Sequence, residues 1–410
     1  MGSGNSHSLE IPPGKGTHNV GCTDIMMDHT IQGSFIRIYY PCETPVNHEH
    51  PAWIPSKEYF SGLADFMKIG RTLGYWSIDY LFGSYKIPAE WNAPFKTGNK
   101  YPLVIFSHGL GAFRTLYSAI CIEIASRGFI VAAVEHRDES ASATYYYKEK
   151  TTKHKQVVVP NSSHVSTDLE VNWLYYRSLK QGEPEFPLRN NQVQQRAHEC
   201  IKALHLLADI NNGSIVLNAL KLHFDWTKLK GSIDICRTAI MGHSFGGATV
   251  IQSLSKEPVF KCGIALDSWM FPLDDDVYTK VNQPILFINS EKFQWIGNIL
   301  KMKKLDSERI DRKMITIKGT VHQSFPDFTF LTGNWIGKLF KLKGNIDPII
   351  AMNLCNRASL AFLQRHLDLH NDFDQWDSLI DGKDENLIPG TNIQLPPEHN
   401  TTAQDSSVNK

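Results

Sequence analysis

The sequence lacks an excess of charge of either sign, because 42 lysine and arginine residues are matched by 42 aspartate and glutamate residues. A nucleic-acid partner, which would favour a strongly basic surface, is therefore not expected. The chain also lacks a disulfide or zinc pattern, since its seven cysteines are odd in number and include no Cys-x-x-Cys pair. With no His-Glu-x-x-His or Walker motif either, we expect reduced thiols, no metal and no organic cofactor.

Long apolar runs are missing as well. The first 17 residues are polar and glycine-rich, and no later apolar run has the length of a membrane-spanning helix. We therefore expect a cytoplasmic protein, and a monomer. Gly2 begins a stretch, with Ser6 at its end, that fits the N-myristoylation pattern, although an ordinary flexible N-terminus has similar residues.

Apolar runs of strand length alternate with helical segments along the chain. Residues 101–107 and 128–134 are almost continuously apolar, which is typical of strands buried on both faces of a parallel sheet, and residues 114–127 have the spacing of a connecting helix. Residues 34–40 alternate, which favours an antiparallel strand at the sheet edge. Further strands are predicted at 237–241, 262–266, 284–289 and 314–317, and we expect 314–317 to be the last strand. Further helices are predicted at 193–210, 248–256 and 349–369.

This order predicts an α/β fold, with a mostly parallel central sheet and helices on both faces. We expect one domain over residues 19–381, a flexible segment at 1–18 and a disordered tail at 382–410. The polar residues 144–185 are predicted to be an insertion over the sheet.

The segment Gly242-His243-Ser244-Phe245-Gly246 follows an apolar strand and precedes a helical segment. This is the Gly-x-Ser-x-Gly nucleophile elbow of α/β-hydrolases, in which a sharp turn exposes the serine hydroxyl. Glycines on both sides allow the backbone to pass closely. Ser244 is therefore the candidate nucleophile.

A serine hydroxyl needs a histidine base and a carboxylate, which follow the serine in the order acid, then histidine, in this fold. Asp267 ends the next predicted strand, and His322 lies in the loop after the last one. Alternatives are the acidic run 274–276, which has the character of a solvated surface, and two histidines near the C-terminal helix, His366 and His370.

Acyl transfer also requires hydrogen-bond donors for the developing oxyanion. The amide after the nucleophile, that of Phe245, is one candidate. The other is the amide of Leu110, in the segment 107–111 that closes the first buried strand and contains a His-Gly pair. An ordinary glycine turn is the alternative for this segment.

Four segments resemble the platelet-activating-factor acetylhydrolase family, which includes a plasma enzyme and an intracellular type II enzyme. They are residues 107–118 (SHGLGAFRTLYS), 134–138 (VEHRD), 242–249 (GHSFGGAT) and 265–273 (ALDSWMFPL). The resemblance implies a calcium-independent serine esterase that removes a short or oxidised sn-2 acyl chain from a glycerophospholipid. Its residues agree with Ser244, Asp267 and His322 as a catalytic triad.

The same resemblance implies an acyl pocket lined by five residues, although aromatic side chains beside a strand are more often plain core. They are His108, Tyr117, Trp269, Phe293 and Gln323. The myristoylation pattern and the polar N-terminus are similar to those of the intracellular branch, while the secreted type remains an alternative.

A phospholipid esterase must reach its substrate at a membrane, and two segments have apolar residues beside basic ones. Residues 63–82 include Trp76, and residues 335–343 include Trp335, Ile336, Leu339 and Phe340 beside three lysines. Ordinary helix packing is the alternative. At the level of function, the alternatives are a general carboxylesterase, lipase or peptidase of the same fold and a catalytically silent lipid-binding protein.

Overall fold

The computed structural model describes residues 9–44, 49–149 and 169–395. These residues form a ten-stranded sheet, a separate two-stranded hairpin and the helices that pack around them. The strands are β1 (Asn19–Met27), β2 (Ser34–Cys42), β3 (Glu90–Trp91), β4 (Tyr101–Ser107), β5 (Ile130–Val134), β6 (Ala143–Glu149), β7 (Leu169–Tyr175), β8 (Ile233–His243), β9 (Phe260–Leu266), β10 (Ile285–Ser290), β11 (Arg312–Ile317) and β12 (Leu387–Pro389). The α-helices are α1 (Lys57–Phe66), α2 (Arg71–Phe82), α3 (Ser118–Ser126), α4 (Glu185–Asn211), α5 (Phe245–Leu254), α6 (Ile296–Lys303), α7 (Phe328–Leu331), α8 (Asn334–Leu339), α9 (Pro348–His366) and α10 (Asp377–Ile380).

The large sheet has the order β12-β11-β10-β9-β8-β4-β5-β2-β1-β3. Strands β5, β4 and β8 to β11 are parallel, whereas β2 pairs antiparallel with β1 and β5, and β12 antiparallel with β11. Buried side chains form one apolar cluster on each face: in β4, Val104 and Phe106 join one cluster, and Leu103 and Ile105 the other. The predicted α/β fold with a mostly parallel sheet is confirmed.

The prediction of an edge position for β2 was wrong, because β1 covers its other side. Strand β1 mixes polar and apolar residues, which hides its alternation. Helix α3 begins only at Ser118, because the backbone of the preceding Tyr117 is not helical, with φ −125° and ψ 31°. Helix α4 begins earlier than expected, with Pro187 in its first turn, where proline is tolerated.

The expected flexible and disordered ends differ in part from the structure. Ile11 is buried, and the Gly16 amide donates to Ser126 Oγ at 2.9 Å, so the segment from residue 9 to residue 18 packs on α3. In the tail, β12 extends the sheet beyond β11, which is therefore not the last strand. Gly2 and residues 396–410 lie outside the described residues.

Strand direction determines where functional groups meet. Parallel strands β4, β8, β9 and β10 all end at the same edge of the sheet, where α/β proteins bind ligands. The segments 107–111 and 243–245, the residue Asp267 and the loop after β11 all follow these strand ends.

Candidate active site

The turn from β8 to α5 holds Ser244 in a strained backbone conformation, with φ 58° and ψ −115°. The two glycines of the motif, Gly242 and Gly246, are required because other backbone atoms approach them closely. A Cβ atom on Gly246 would lie 2.0 Å from the Ser107 carbonyl oxygen, and one on Gly242 would lie 2.4 Å from the Gly246 carbonyl oxygen. Because both contacts are with backbone atoms, no small adjustment could accommodate a side chain at either position.

Ser244, His322 and Asp267 form a continuous series of hydrogen bonds. His322 Nε2 lies 2.9 Å from Ser244 Oγ, and His322 Nδ1 lies 2.6 Å from Asp267 Oδ2. An ionised carboxylate can only accept, so Nδ1 carries the proton and Nε2 accepts from the serine hydroxyl. This is the tautomer that a general base requires.

The structure does not bring the alternative acids and bases to the serine. Asp274 accepts from Asn190 at 2.8 Å, and its neighbours in the acidic run pair with lysines. His366 is at the end of helix α9, and its Nε2 lies 2.9 Å from Asp311 Oδ2. Neither group hydrogen-bonds with the elbow.

Ser290, at the end of β10, supports the acid in a way that the sequence reasoning missed. Its amide donates to Asp267 Oδ1 at 2.8 Å, and its hydroxyl donates to Oδ2 at 2.7 Å. Asp267 itself is 1% exposed. Since β9 and β10 are parallel neighbours, a polar residue at the end of β10 was the signal available in the sequence.

The two amides predicted for the oxyanion hole belong to segments that adjoin the nucleophile. A Cβ atom on Gly109 would lie 3.3 Å from Ser244 Cβ, so the segment 107–111 packs directly on the elbow. The amides of Gly109 and Gly111 donate to Tyr117 Oη and the Ser140 carbonyl, at 3.1 and 2.7 Å. Within the described part of the chain, the Leu110 and Phe245 amides donate no hydrogen bond.

His243, inside the elbow motif, joins the base loop to the segment 107–111, and sequence reasoning assigned it no role. Its Nε2 donates to the His322 carbonyl at 3.1 Å, which leaves Nδ1 to accept from Tyr117 Oη at 2.9 Å. Burial and the neighbouring His322 hold the pKa of His243 well below its usual value. The neutral imidazole that this pattern needs is therefore the favoured form.

The five residues predicted for an acyl pocket separate into two groups. Trp269, Phe293 and Gln323 are half-buried, and the Phe293 ring stacks on His322 with centroids 3.7 Å apart. His108 and Tyr117 are each 1% exposed. Their hydrogen bonds to His136, Gly109 and His243 place them beneath the oxyanion segment as supports, which corrects the expectation that they line the pocket.

His243, Asp267 and His322 also bring their ligand-type atoms within 4.8 Å of one another, a spacing that a metal ion could use. The hydrogen bonds account for this cluster without one. His322 Nδ1 and His243 Nε2 both donate protons to protein oxygens, and a nitrogen that carries a proton cannot ligate a metal. The absence of a metal or organic cofactor stays a prediction.

The predicted membrane-contact residues are mostly exposed. Trp76, Trp335, Leu339 and Phe340 are between 60% and 76% exposed, whereas Ile336 is half-buried. The segment 63–82 forms two helices, α1 and α2, and its first residue belongs to the core. In the part of the chain that the structure describes, no helix has the length and apolar character needed to cross a bilayer.

Comparison with known proteins assigns the chain to a family. Residues 3–387 match the family described as platelet-activating factor acetylhydrolase, isoform II. The chain belongs to this family. It is similar to the platelet-activating factor acetylhydrolase of Gallus gallus, with 60% identity over 97% of this chain and 93% of that protein. For the Canis lupus familiaris enzyme of the same name, identity is 53%, over 100% of this chain and 89% of the relative.

A solved structure also resembles the fold. The ferulic acid esterase of Streptomyces cinnamoneus superimposes with a TM-score of 0.56, at 17% identity, over 88% of this chain and 96% of that one. At this identity the likeness concerns the fold alone. The family match therefore establishes an esterase, and this structure supports its α/β-hydrolase fold.

Proposed function

We propose that the protein hydrolyses the sn-2 acetyl, short or oxidised acyl ester of platelet-activating factor and related glycerophospholipids, through an acyl-enzyme on Ser244. The observation that carries this proposal is the hydrogen-bonded series from Asp267 through His322 to Ser244 Oγ. The names of the family and of its relatives supply the substrate class.

The geometry supports a two-step acyl transfer. Ser244 Oγ attacks the ester carbonyl while its proton passes to His322 Nε2, and Asp267 stabilises the resulting imidazolium. The carbonyl oxygen becomes an oxyanion that the Leu110 and Phe245 amides bind. Collapse of this intermediate breaks the ester bond, and the departing lysophospholipid alcohol takes the proton from His322. Water then attacks the acyl group, with His322 again as base, and regenerates the serine.

None of these steps uses a metal, so we propose that the activity is independent of calcium. The test measures hydrolysis of phosphatidylcholines with sn-2 chains of increasing length, with calcium and with EDTA. We expect acetyl and oxidised short chains to be preferred, at equal rates in both conditions. A rate that falls in EDTA contradicts calcium independence, and a preference for simple aliphatic esters over phospholipids indicates a general carboxylesterase.

We also propose that an apolar patch, consisting of Trp76, Tyr80, Trp335, Leu339 and Phe340, contacts the membrane surface. These side chains are between 60% and 89% exposed. Exposed apolar surface of this kind is typical of sites that contact a membrane or a partner. Phe82 in α2 packs on Phe328 in α7, with ring centroids 5.4 Å apart, and α8 begins three residues after α7 ends. Three lysines, at 338, 341 and 343, lie on the same segment and suit anionic lipids.

Paired Trp335→Ala and Phe340→Ala changes should reduce co-sedimentation with vesicles of phosphatidylcholine and phosphatidylserine, while hydrolysis of a dispersed short-chain ester stays intact. A matched control changes two exposed residues outside the patch, Ile215 and Leu217, to alanine; they are 86% and 76% exposed. Unchanged co-sedimentation of the patch variant, or an equal loss in the control, contradicts the proposal.

For Gly2, we propose N-myristoylation and hence a cytoplasmic protein that visits membranes reversibly. A single myristoyl chain gives only marginal binding, so the apolar patch would supply the second contact. Mass spectrometry of the N-terminal peptide from eukaryotic cells tests the modification, and an acetylated or free Gly2 contradicts it. The expectation of a monomer stays a prediction, which analytical ultracentrifugation checks.

A further inference from the structure

Arg196, in the middle of α4, is an entirely buried cation behind the oxyanion segment. Its side chain is 0% exposed, and its Nε donates to Asp138 Oδ2 at 3.0 Å, a carboxylate that is also 0% exposed. A buried ion pair is costly to desolvate and is weak evidence for stability. The contacts of the guanidinium indicate what else it does.

Two of these contacts are with backbone carbonyls of the oxyanion segment. Arg196 Nη1 donates to the His108 carbonyl at 2.5 Å, and Nη2 lies 3.4 Å from the Gly109 carbonyl. The Gly109 carbonyl and the Leu110 amide belong to one peptide unit, and in a trans peptide they point in opposite directions. The Gly109 carbonyl also accepts from His108 Nδ1 at 2.8 Å, and Arg196 in turn holds the His108 backbone carbonyl. Together, Arg196 and His108 hold the Gly109 carbonyl on their side, which directs the Leu110 N–H to the opposite side. Because Gly109 is a glycine, its own side chain adds no restraint on this peptide.

The same guanidinium also contacts the residue that supplies the second amide. Its Cζ atom lies 4.4 Å from the centroid of the Phe245 ring, a cation–π distance. Ser140 completes the arrangement: its hydroxyl accepts from Arg196 at 2.7 and 2.9 Å, and its carbonyl accepts the Gly111 amide at 2.7 Å. One buried side chain thus contacts both halves of the oxyanion hole.

We propose that Arg196 is a positioning residue for the oxyanion hole, which fixes the Gly109–Leu110 peptide and the Phe245 side chain relative to Ser244. It does not touch substrate. Asp138 balances the charge of Arg196. The effect of Arg196 is therefore to orient the Leu110 and Phe245 amides, and it adds no net positive charge to the site. The inference rests on the proposed roles of Ser244, Leu110 and Phe245.

The primary test is Arg196→Lys, which keeps the charge but loses the planar set of donors that reaches two carbonyls. Loss of an oxyanion donor costs about 10²–10³ in kcat, so a misdirected donor should cost roughly 10- to 100-fold, with KM little changed. The matched control is Arg189→Lys. Arg189 lies two turns earlier in α4, is 2% exposed and donates to Tyr176 and Gln192 instead, so its variant should keep kcat.

A second readout separates positioning from general damage to the fold. A trifluoromethyl ketone forms a hemiketal oxyanion with the serine, whereas an ether analogue of the substrate forms none. Arg196→Lys should weaken ketone binding by the same factor as kcat and leave ether binding unchanged. If this variant fails to fold, Ser140→Ala removes the hydroxyl oxygen that accepts two hydrogen bonds from Arg196, and it should show the same selective loss, to a smaller extent.

Equal kcat values for the two lysine variants, or equal losses for ketone and ether, would overturn the proposal. Labelling by a fluorophosphonate distinguishes this failure from failure of the proposed function. If Ser244 is labelled but kcat of Arg196→Lys is normal, only the role of Arg196 is wrong. If Ser244 in the wild type is not labelled, the assignment of the nucleophile is wrong.

Discussion

Backbone strain at Ser244 predicts an unusual order of stability between two inactive variants. With φ 58° and ψ −115°, a residue that has a Cβ atom pays about 1–3 kcal/mol at this position, and glycine avoids most of this cost. Against this, glycine loses about 0.5–1 kcal/mol more conformational entropy on folding than alanine. The free energy of unfolding of Ser244→Gly should therefore exceed that of Ser244→Ala, by about 0.5–2 kcal/mol.

Both variants lose the hydroxyl and its hydrogen bond to His322, so these losses cancel in the comparison. Urea unfolding measures the difference in free energy, and the melting temperatures of the two variants should differ by about 0.6–2.5 °C for a domain of this size. Ser255 is the control position: at φ −69° it is unstrained, so its glycine variant should be less stable than its alanine variant. A Ser244→Gly protein no more stable than Ser244→Ala would refute the strain argument.

Three further predictions concern the supports of the site. Asp267→Asn should lower kcat by about 10⁴-fold in steady-state ester hydrolysis, because an amide does not favour the tautomer that the base needs; a normal rate contradicts its role. Ser290→Ala removes one of the two hydrogen bonds that Ser290 donates to that carboxylate. Since hydrogen bonds to charged groups are worth about 1.5–3 kcal/mol, kcat should fall roughly 10- to 100-fold; no change would show that the amide alone suffices. Because the pKa of His243 is held well below its usual value, the unfolded chain takes up a proton that the folded protein does not. Through His243, stability is therefore lost as the pH falls below about 6.5, by up to about 1.4 kcal/mol per pH unit. Burial also lowers the pKa of His108 and of His136, so His243→Gln should reduce the slope in urea titrations from pH 7.5 to 5.5 without removing it. An unchanged slope contradicts a neutral His243.

Much of this site could be predicted because its parts follow buried parallel strands. A near-continuous apolar run identifies such a strand, and the residue after it is then placed at the functional edge of the sheet. Asp267 and His322 were found in this way, and the structure brings both to Ser244. The order of serine, acid and histidine in the chain limited the search further.

What could not be predicted depends on contacts between elements distant in sequence. The role of His243 arises only when the base loop meets the elbow, so the sequence carries no pattern for it. The polar end of β10 is a signal for Ser290, but its contact with Asp267 depends on the pairing of β9 with β10. The interpretation of His108 and Tyr117 was wrong because the sequence does not show whether a polar aromatic residue beside a catalytic loop lines a pocket or supports the loop from below. Both side chains are buried, so they support the loop. Strand β12 was missed because three residues in a polar tail carry no periodicity.

The central claim is that Ser244 forms a covalent acyl intermediate, with His322 and Asp267 as its base and acid. Rapid quenching of the reaction with p-nitrophenyl acetate, followed by peptide mapping by mass spectrometry, tests it most directly. The account predicts one acetyl group, on Ser244, with a burst of p-nitrophenol that is absent from Ser244→Ala. An acetyl group on another residue, or a burst that persists in Ser244→Ala, would contradict it.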